Sequence, residues 1–336
     1  MLKQPSVWLG VAVSVAGLAL AAHGLQFGDV GDAFASARYW WLVPATLAML
    51  GSLYVRAIRW RVLFHPTTGL RLINVFGAMN VGYMLNNILP LRVGEFGRAY
   101  VIAEIEPVGK IRALTTIVVE RLTDLLVVVV LLIVLLPFID EPEWATGPAL
   151  LLGAGILGLA ILLSALARAR GLTLRAVHWL VQRLPERFRD PSQDAAAAVL
   201  DGFATLGHPQ VLVRAVGWSV LAWACSSLYM FFTLQAFGLS LSYAAPILVM
   251  VAIALGMVVP SSAGYIGVHH AIAIEVLTGV FGVDRASAAG FAIISHALLY
   301  SIPTILGALF IWNRRELLGQ VFARVSGRPE STREST

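Results

Sequence analysis

The chain has 336 residues, of which 58% are hydrophobic and only 13% charged, and its mean hydropathy is +0.81. Soluble globular proteins carry roughly 25% charged residues, so this sequence lacks the polar surface to cover itself in water, which disfavours a cytosolic enzyme, a secreted disulfide scaffold and a disordered linker. The net charge of +5 does not point to nucleic acid, because the basic residues gather at the ends of apolar runs, where they control topology in a membrane. The single cysteine, Cys225, permits no intrachain disulfide.

The first apolar run, Val7–Ala22, follows Lys3 and ends in Ala19-Leu20-Ala21, which also fits a signal-peptide cleavage site. Its apolar core exceeds the roughly 7–15 residues of such peptides, which favours a retained signal anchor. Five more runs are long enough to span: Trp40–Ile58, Leu114–Pro137, Ala149–Leu166, Val211–Phe237 and Ala288–Trp312. A helix needs about 20 residues, at about 1.5 Å each, to cross roughly 30 Å of hydrocarbon. Between these runs lie two apolar regions, about 73–102 and 244–281, that Gly, Pro, Asn and Ser interrupt in the middle.

The two interruptions share a pattern. Pro90, Gly94 and Gly97 stand at the same spacing as Pro260, Gly264 and Gly267, each set behind an apolar approach. If both regions are re-entrant and the N-terminus is cytoplasmic, the inner stretches are Met1–Ser6, Arg56–Arg71, Arg92–Arg112, Ala167–Gln210 and Asn313–Thr336. The outer stretches then hold only two arginines, Arg38 and Arg285, as the positive-inside rule expects. The first broken region enters from the cytoplasm and the second from outside, an arrangement that recurs in transporters.

The expected fold is therefore an all-α polytopic membrane protein, with about six spanning helices plus two inverted-repeat re-entrant broken helical hairpins. A single integral membrane domain covers residues 1–336. Its first half-repeat runs over about 40–166, with the broken hairpin 73–102, and its second over about 211–312, with the broken hairpin 244–281. A cytoplasmic amphipathic linker, 167–210, joins them. There Val177, Leu180, Val181, Leu184 and Phe188 form an apolar stripe against Arg175, Arg183, Arg187 and Arg189, suited to anionic headgroups. The polar tail 326–336 is expected to be disordered. Arg outnumbers Lys 22 to 2 and Ala is abundant, which suggests a bacterial source and hence the inner membrane, with both termini cytoplasmic.

Polar groups at membrane depth are expensive and tend to face a cavity or a partner. Around the first break, Asn86, Asn87, Arg92, Glu95 and Arg98 are candidate substrate contacts: guanidinium forks suit phosphate, and a half-helix starting near Gly94 would aim amide hydrogens at an anion. The same arginines and Glu95 also fit an ordinary ion network at headgroup level. Glu120, Arg121 and Asp124 lie inside a spanning run, where they fit charge balance or coupling and equally a buried ion pair that locks the bundle. On the second break, Ser261, Ser262, Tyr265 and His269 are candidates for the opposite wall. Adjacent His269 and His270 point about 100° apart on a helix, so no metal site is expected. No spacing singles out a catalytic serine, and no Walker A motif or dinucleotide loop is present, so neither a catalytic residue nor a cofactor is assigned.

Taken together, Asn87, Pro90, Arg92, Gly94, Glu95 and Arg98, then Glu120, Arg121 and Asp124, then Pro260, Gly264, Gly267 and Val268 resemble the lysylphosphatidylglycerol synthase transmembrane-region family. This flippase-like domain occurs fused to aminoacyl-phospholipid synthases and as free-standing membrane proteins. The resemblance covers about Ser6 to Glu316. It implies movement of an anionic or aminoacylated phospholipid, or a polyprenyl-phosphate-type lipid, between leaflets. Nothing of domain size follows Glu316, so lysyl transfer is not expected from this polypeptide. The expected partners are a membrane lipid with an anionic headgroup and a separate lipid-modifying enzyme, with no nucleic acid; the sequence is compatible with an oligomer. Two other readings stay open: an intramembrane enzyme acting on a lipid-linked substrate, and a non-catalytic scaffold for an envelope enzyme.

Overall fold

The structure, a computed structural model, describes residues 5–67, 69–89, 93–135, 169–182, 208–257 and 263–314, with isolated positions between 137 and 203. Among the described residues the chain is helical and contains no strand. Helix α1 (Pro5–Ala22) is followed by a short amphipathic helix α2 (Phe27–Ser36), a single turn at Tyr39–Trp41 and α3 (Leu42–Leu63). Then come α4 (Leu72–Ile88), α5 (Gly94–Ile105) and α6 (Lys110–Leu135). Beyond α7 (Arg170–Val181), the second half comprises α8 (Pro209–Ala236), α9 (Ala244–Gly256), a turn at Ala263–Tyr265, α10 (Val268–Phe281) and α11 (Arg285–Trp312).

Among the described residues, four segments are long and apolar enough to cross a membrane: Tyr39–Leu63, Pro209–Ala236, Ala263–Phe281 and Arg285–Trp312. Large apolar side chains stand on their outer faces, including Val43 and Leu47 at 63% exposure and Val213 at 71%. In water such a surface would aggregate; in lipid it is the solvated face. The protein is thus a multi-pass membrane protein. Of the other expected spans, α1 has 18 residues, and α6 has 26 but carries Glu120, Arg121 and Asp124 in its middle. Ala149–Leu166 and the tail 326–336 lie outside the described residues. In the second broken region the apolar stretch Ala263–Phe281 is long enough to span by length and composition, but its regular helix is only the 14 residues Val268–Phe281, behind a kink at Gly264.

The break in each expected region is real and local. Helix α4 ends at Ile88 and α5 begins at Gly94; α9 ends at Gly256 and α10 begins at Val268. In each case the two pieces pack against each other. The succession of long helix, broken pair and long helix therefore occurs twice, and the packing repeats with it. Helix α3 lies on α4 as α8 lies on α9, and α5 on α6 as α10 on α11. Between the halves, α4 meets α11 as α9 meets α6, while α3 and α8 run along each other over their length.

Small residues set these approaches. A Cβ on Gly94 would sit 1.9 Å from the Gly82 carbonyl oxygen, and one on Gly77 would sit 2.1 Å from the Phe310 ring. Without a hydrophobic drive between helices in lipid, such close backbone contact supplies much of the attraction. The expected role of Gly97 as a break residue is not what the structure shows. It lies inside α5, where a Cβ would meet Leu85 Cδ1 at 2.3 Å, whereas Gly94, the first residue of that helix, borders the break. Among the described residues of the second break, Gly264 (φ +71°) and Gly267 (φ +91°) adopt conformations that favour glycine, and Tyr265 between them also has a positive φ (57°). Gly267 also touches α1, since a Cβ there would lie 2.2 Å from the Ser14 carbonyl oxygen.

In α7, Val181 is buried while Leu172 and Trp179 are exposed, so the helix presents apolar groups outward. The side chains of Val177 and Leu180, and residues Leu184 and Phe188, lie outside the described residues, as do Arg183, Arg187 and Arg189.

Candidate functional site

A cavity of about 390 Å³ lies between the two halves, within the ~300–1,000 Å³ range of small-molecule sites. Its two ends differ. One is charged: Arg56 of α3, Glu95 and Arg98 of α5, and Arg121 and Asp124 of α6. The remainder is largely apolar, with Met49, Leu53, Val128, Met250, Ile253 and Leu299 among its walls. Aromatic and polar groups from α8 and α11, including Trp223, Tyr229, His296 and Tyr300, complete the lining.

The charged end stands on a layer that is fully buried. Arg59 of α3 has no exposed side-chain surface. It forks onto both oxygens of Asp124, reaches Glu120 Oε1 at 3.0 Å and donates to Ser219 Oγ at 3.0 Å. Glu120, also without exposure, is held in addition by Arg98 at 3.1 Å and by Arg121 at 3.1 Å. The like charges of Glu120 and Asp124, one helical turn apart, are thus separated by interposed guanidiniums. Trp223 adds an indole N–H to Asp124 Oδ1 at 3.1 Å. This network satisfies the pairing that buried charges require.

Above it, the groups that reach the cavity are less completely paired. Arg56 contacts Asp124 at 3.7 Å, bonds Ser52 Oγ at 3.3 Å and stacks 5.2 Å from the Trp223 ring. Arg98 lies 4.9 Å from the Trp60 ring, and its buried Nη2 has no hydrogen-bond partner. Arg121 retains 39% side-chain exposure and meets Glu95 at 3.6 Å. Four guanidiniums, those of Arg56, Arg59, Arg98 and Arg121, face three carboxylates, Glu95, Glu120 and Asp124, leaving one positive charge in excess. A site of that sign, with an unpartnered guanidinium N–H and a mostly apolar remainder, can hold an anionic group that carries a hydrocarbon body.

The two asparagines of the first break tie the backbone. Asn86 Oδ1 accepts from the Gly94 amide at 2.8 Å, closing the start of α5, while Asn87 Nδ2 donates to Tyr300 O and to Thr304 Oγ1 on α11. A Cβ on Gly264 would lie 3.3 Å from Asn87 O, so the second break rests against the end of the first.

Of the residues singled out from sequence, Asn86, Asn87, Glu95, Arg98, Arg121, Asp124 and Tyr265 line the cavity, as do Gly94 and Gly264. Glu120 sits behind it, fully buried. Arg92, Pro90, Ser261, Ser262 and Pro260 lie outside the described residues. His269 is not a cavity residue: it is fully buried and bonded to Ser295 Oγ at 3.0 Å, and the histidine on the wall is His296. The stretch expected to be cytoplasmic from Arg56 onward also needs correcting, because α3 continues to Leu63 and carries Arg56 and Arg59 into the interior. Their spacing of three, which puts both on one helical face, is the sequence signal that could have found them.

The family model for the lysylphosphatidylglycerol synthase TM region matches residues 7–307, nearly the whole chain, and the chain belongs to that family. Among proteins of curated function, none matches it.

Proposed function

From membership of the lysylphosphatidylglycerol synthase transmembrane-region family, we propose that this membrane protein is a lipid flippase. It moves an anionic or aminoacylated phospholipid, or a polyprenyl-phosphate-type lipid, between the leaflets of a bacterial inner membrane. The observation that carries the reading is the two-ended cavity between the halves, charged and net positive at one end and apolar elsewhere. A phosphate would pair with Arg98, Arg56 and Arg121, and carboxylates Glu95 and Asp124 would receive an ammonium group if the headgroup carries one. The tails would lie along the apolar walls.

The doubled packing of long helix and broken pair supports an inverted repeat, and rocking of one half against the other would expose the cavity to each leaflet in turn. Both termini are placed in the cytoplasm on the charge pattern of the sequence. We read the chain as a transporter and not as an enzyme; a separate lipid-modifying enzyme would supply or consume the cargo.

The test is a two-sided leaflet assay in liposomes, with headgroup-labelled anionic, aminoacylated and polyprenyl-phosphate lipids quenched from outside. Wild type should move at least one class. Arg98→Gln and Arg56→Gln, with unfolding in detergent checked to be cooperative, should each lower the rate by about tenfold or more, the worth of one charge-assisted phosphate contact. Undiminished rates in both variants would overturn the assigned role of the arginines. Lipid recovered in chemically altered form would overturn transport in favour of an enzyme.

A further inference from the structure

Three imidazoles gather behind the second break. His269 and His270 open α10, and His296 projects from α11; the ring centroids lie 5.8, 5.1 and 4.7 Å apart in the three pairings. Only His296 lines the cavity. Its Nε2 lies 2.7 Å from the Gly264 carbonyl oxygen, which can only accept, so Nε2 carries the hydrogen. In the neutral ring Nδ1 then holds the lone pair. The Nδ1 atoms of His269 and His270 are both buried without a hydrogen-bond partner. Among the described residues no histidine of the three has a carboxylate within ion-pair distance.

The groups around the cluster are mostly neutral. From α8, the Tyr229 hydroxyl donates to Ser295 O at 2.5 Å; from α11 comes Tyr300, and from the break Tyr265. Helix α4 contributes Asn87, while α1 and α9 contain no charged residue. Glu275 of α10 is engaged with Arg285 at 2.7 Å, and Asp29 and Asp32 of α2 are exposed. The charges facing His296 across the cavity are Arg56, Glu95, Arg98, Arg121 and Asp124. An anion entering the cavity would favour a proton on the imidazole.

We propose that His296, with His269 and His270 packed behind it, is a proton site loaded by the entry of an anionic headgroup, so that cargo binding takes up a proton from water. The proton adds to Nδ1 of His296 while Nε2–H stays on the Gly264 carbonyl, and no other bond changes. By reciprocity, protonation favours the loaded site as much as the anion favours protonation. Proton coupling of this kind also links the cargo to the second break, because the same ring holds the backbone of Gly264. The inference rests on the lipid-binding reading of the cavity.

The experiment uses the full chain in detergent with short-chain phosphatidylglycerol, a phosphodiester that does not itself titrate near neutrality. Binding and proton release or uptake are measured together in weak buffer, between about pH 6 and pH 8, where histidine changes charge. The bound state holds more protons than the free state, so affinity should rise as pH falls, by up to about tenfold per pH unit for one linked proton. Up to one proton should be taken up per lipid in wild type, and His296→Gln, whose amide can still donate to Gly264 O, should bind with a flat pH profile. Binding in wild type without uptake, or uptake unchanged in His296→Gln, overturns the proton site and leaves the lipid reading standing. No binding at any pH overturns this inference and excludes phosphatidylglycerol as cargo, while the polyprenyl-phosphate arm of the leaflet assay tests the lipid reading separately. The wild-type profile decides the matter even if the variant does not fold.

Discussion

Replacing Arg59 by Met keeps most of the side chain's aliphatic length and removes its guanidinium, so the expected loss follows from its partners. Two hydrogen bonds to Asp124, one ion pair to Glu120 and one hydrogen bond to Ser219 disappear. Both carboxylates stay where they are, Glu120 without any exposure and Asp124 with 8% of its side chain exposed. Breaking a buried pair from one side costs about 3–5 kcal/mol. The remaining cations do not replace it for Asp124, because Arg56 stands 3.7 Å away and Arg121 3.9 Å. Glu120 fares better, since Arg98 and Arg121 remain at 3.1 Å. The expected destabilisation of Arg59→Met is therefore about 3–4 kcal/mol, read by titrating purified protein with a denaturing detergent. Arg59→Met/Asp124→Leu should recover most of it, because the stranded charge is gone and the volume is filled by apolar groups. A single variant within about 0.5 kcal/mol of wild type, the size of a neutral surface change, would refute the claim that this layer supports the site. So would a double variant less stable than the single one.

Four further outcomes follow from geometry. Gly94→Ala would drive a Cβ to 1.9 Å from the Gly82 carbonyl and 2.6 Å from Asn86 Oδ1; overpacking against backbone should cost about 1–3 kcal/mol or more and lower cavity-dependent transport. Gly77→Ala meets a side chain instead, the Phe310 ring at 2.1 Å, so Gly77→Ala/Phe310→Ala should regain stability in the same titration, whereas no second-site truncation rescues Gly94→Ala. Asp284 caps α11 by accepting from the Ser287 amide at 2.8 Å, and Asp284→Ala should cost about 1 kcal/mol. By contrast Arg285→Gln, which removes a partly exposed pair to Glu275, should change stability by less than about 1 kcal/mol.

Much of this architecture is legible in the sequence because lipid imposes simple rules. A run such as Ala288–Trp312 has few alternatives to a helix, and Gly, Pro and Asn in mid-membrane must mark a place where the helix stops. Both stops, after Ile88 and after Gly256, are visible in that way. The partners across the cavity are not. Trp223 and Ser226 stand about a hundred residues or more from Asp124 and Arg56, and no local pattern joins them. Arg56 and Arg59 escape for a different reason: arginine usually marks the end of a span, so a helix that carries two of them inward looks as though it has already left the membrane. Gly97 misleads because a helical glycine that admits Leu85 and a glycine that ends a helix look alike until the backbone is seen.

On the proposed function, the charged cluster divides by depth into support and site. Glu120 and Arg59 have no exposed side-chain surface and are bonded to each other and to the neighbouring charges, with only Arg59 Nε left without a partner, so they cannot take a ligand without first losing one another. Arg56, Arg98, Arg121 and Asp124 stand one layer above and line the cavity. The buried pair holds Arg98, Arg121 and Asp124, and Asp124 in turn meets Arg56, yet the three arginines keep capacity to bond: Arg98 through an unpartnered nitrogen, Arg121 through its exposure, and Arg56 through contacts longer than 3.2 Å. A surface layer of arginines alone would need a large reorganisation to hold an anion, and a wholly buried network would offer it nothing. The two layers together present preset donors at a fixed place. Neutralising Arg59 should therefore reduce stability first, and transport only as the upper layer loses its support. Neutralising Arg98 should reduce transport by more than its effect on stability accounts for. Measuring both quantities on both variants separates the layers. Parallel losses of stability and transport in the two would mean that they form a single network with no division between support and site.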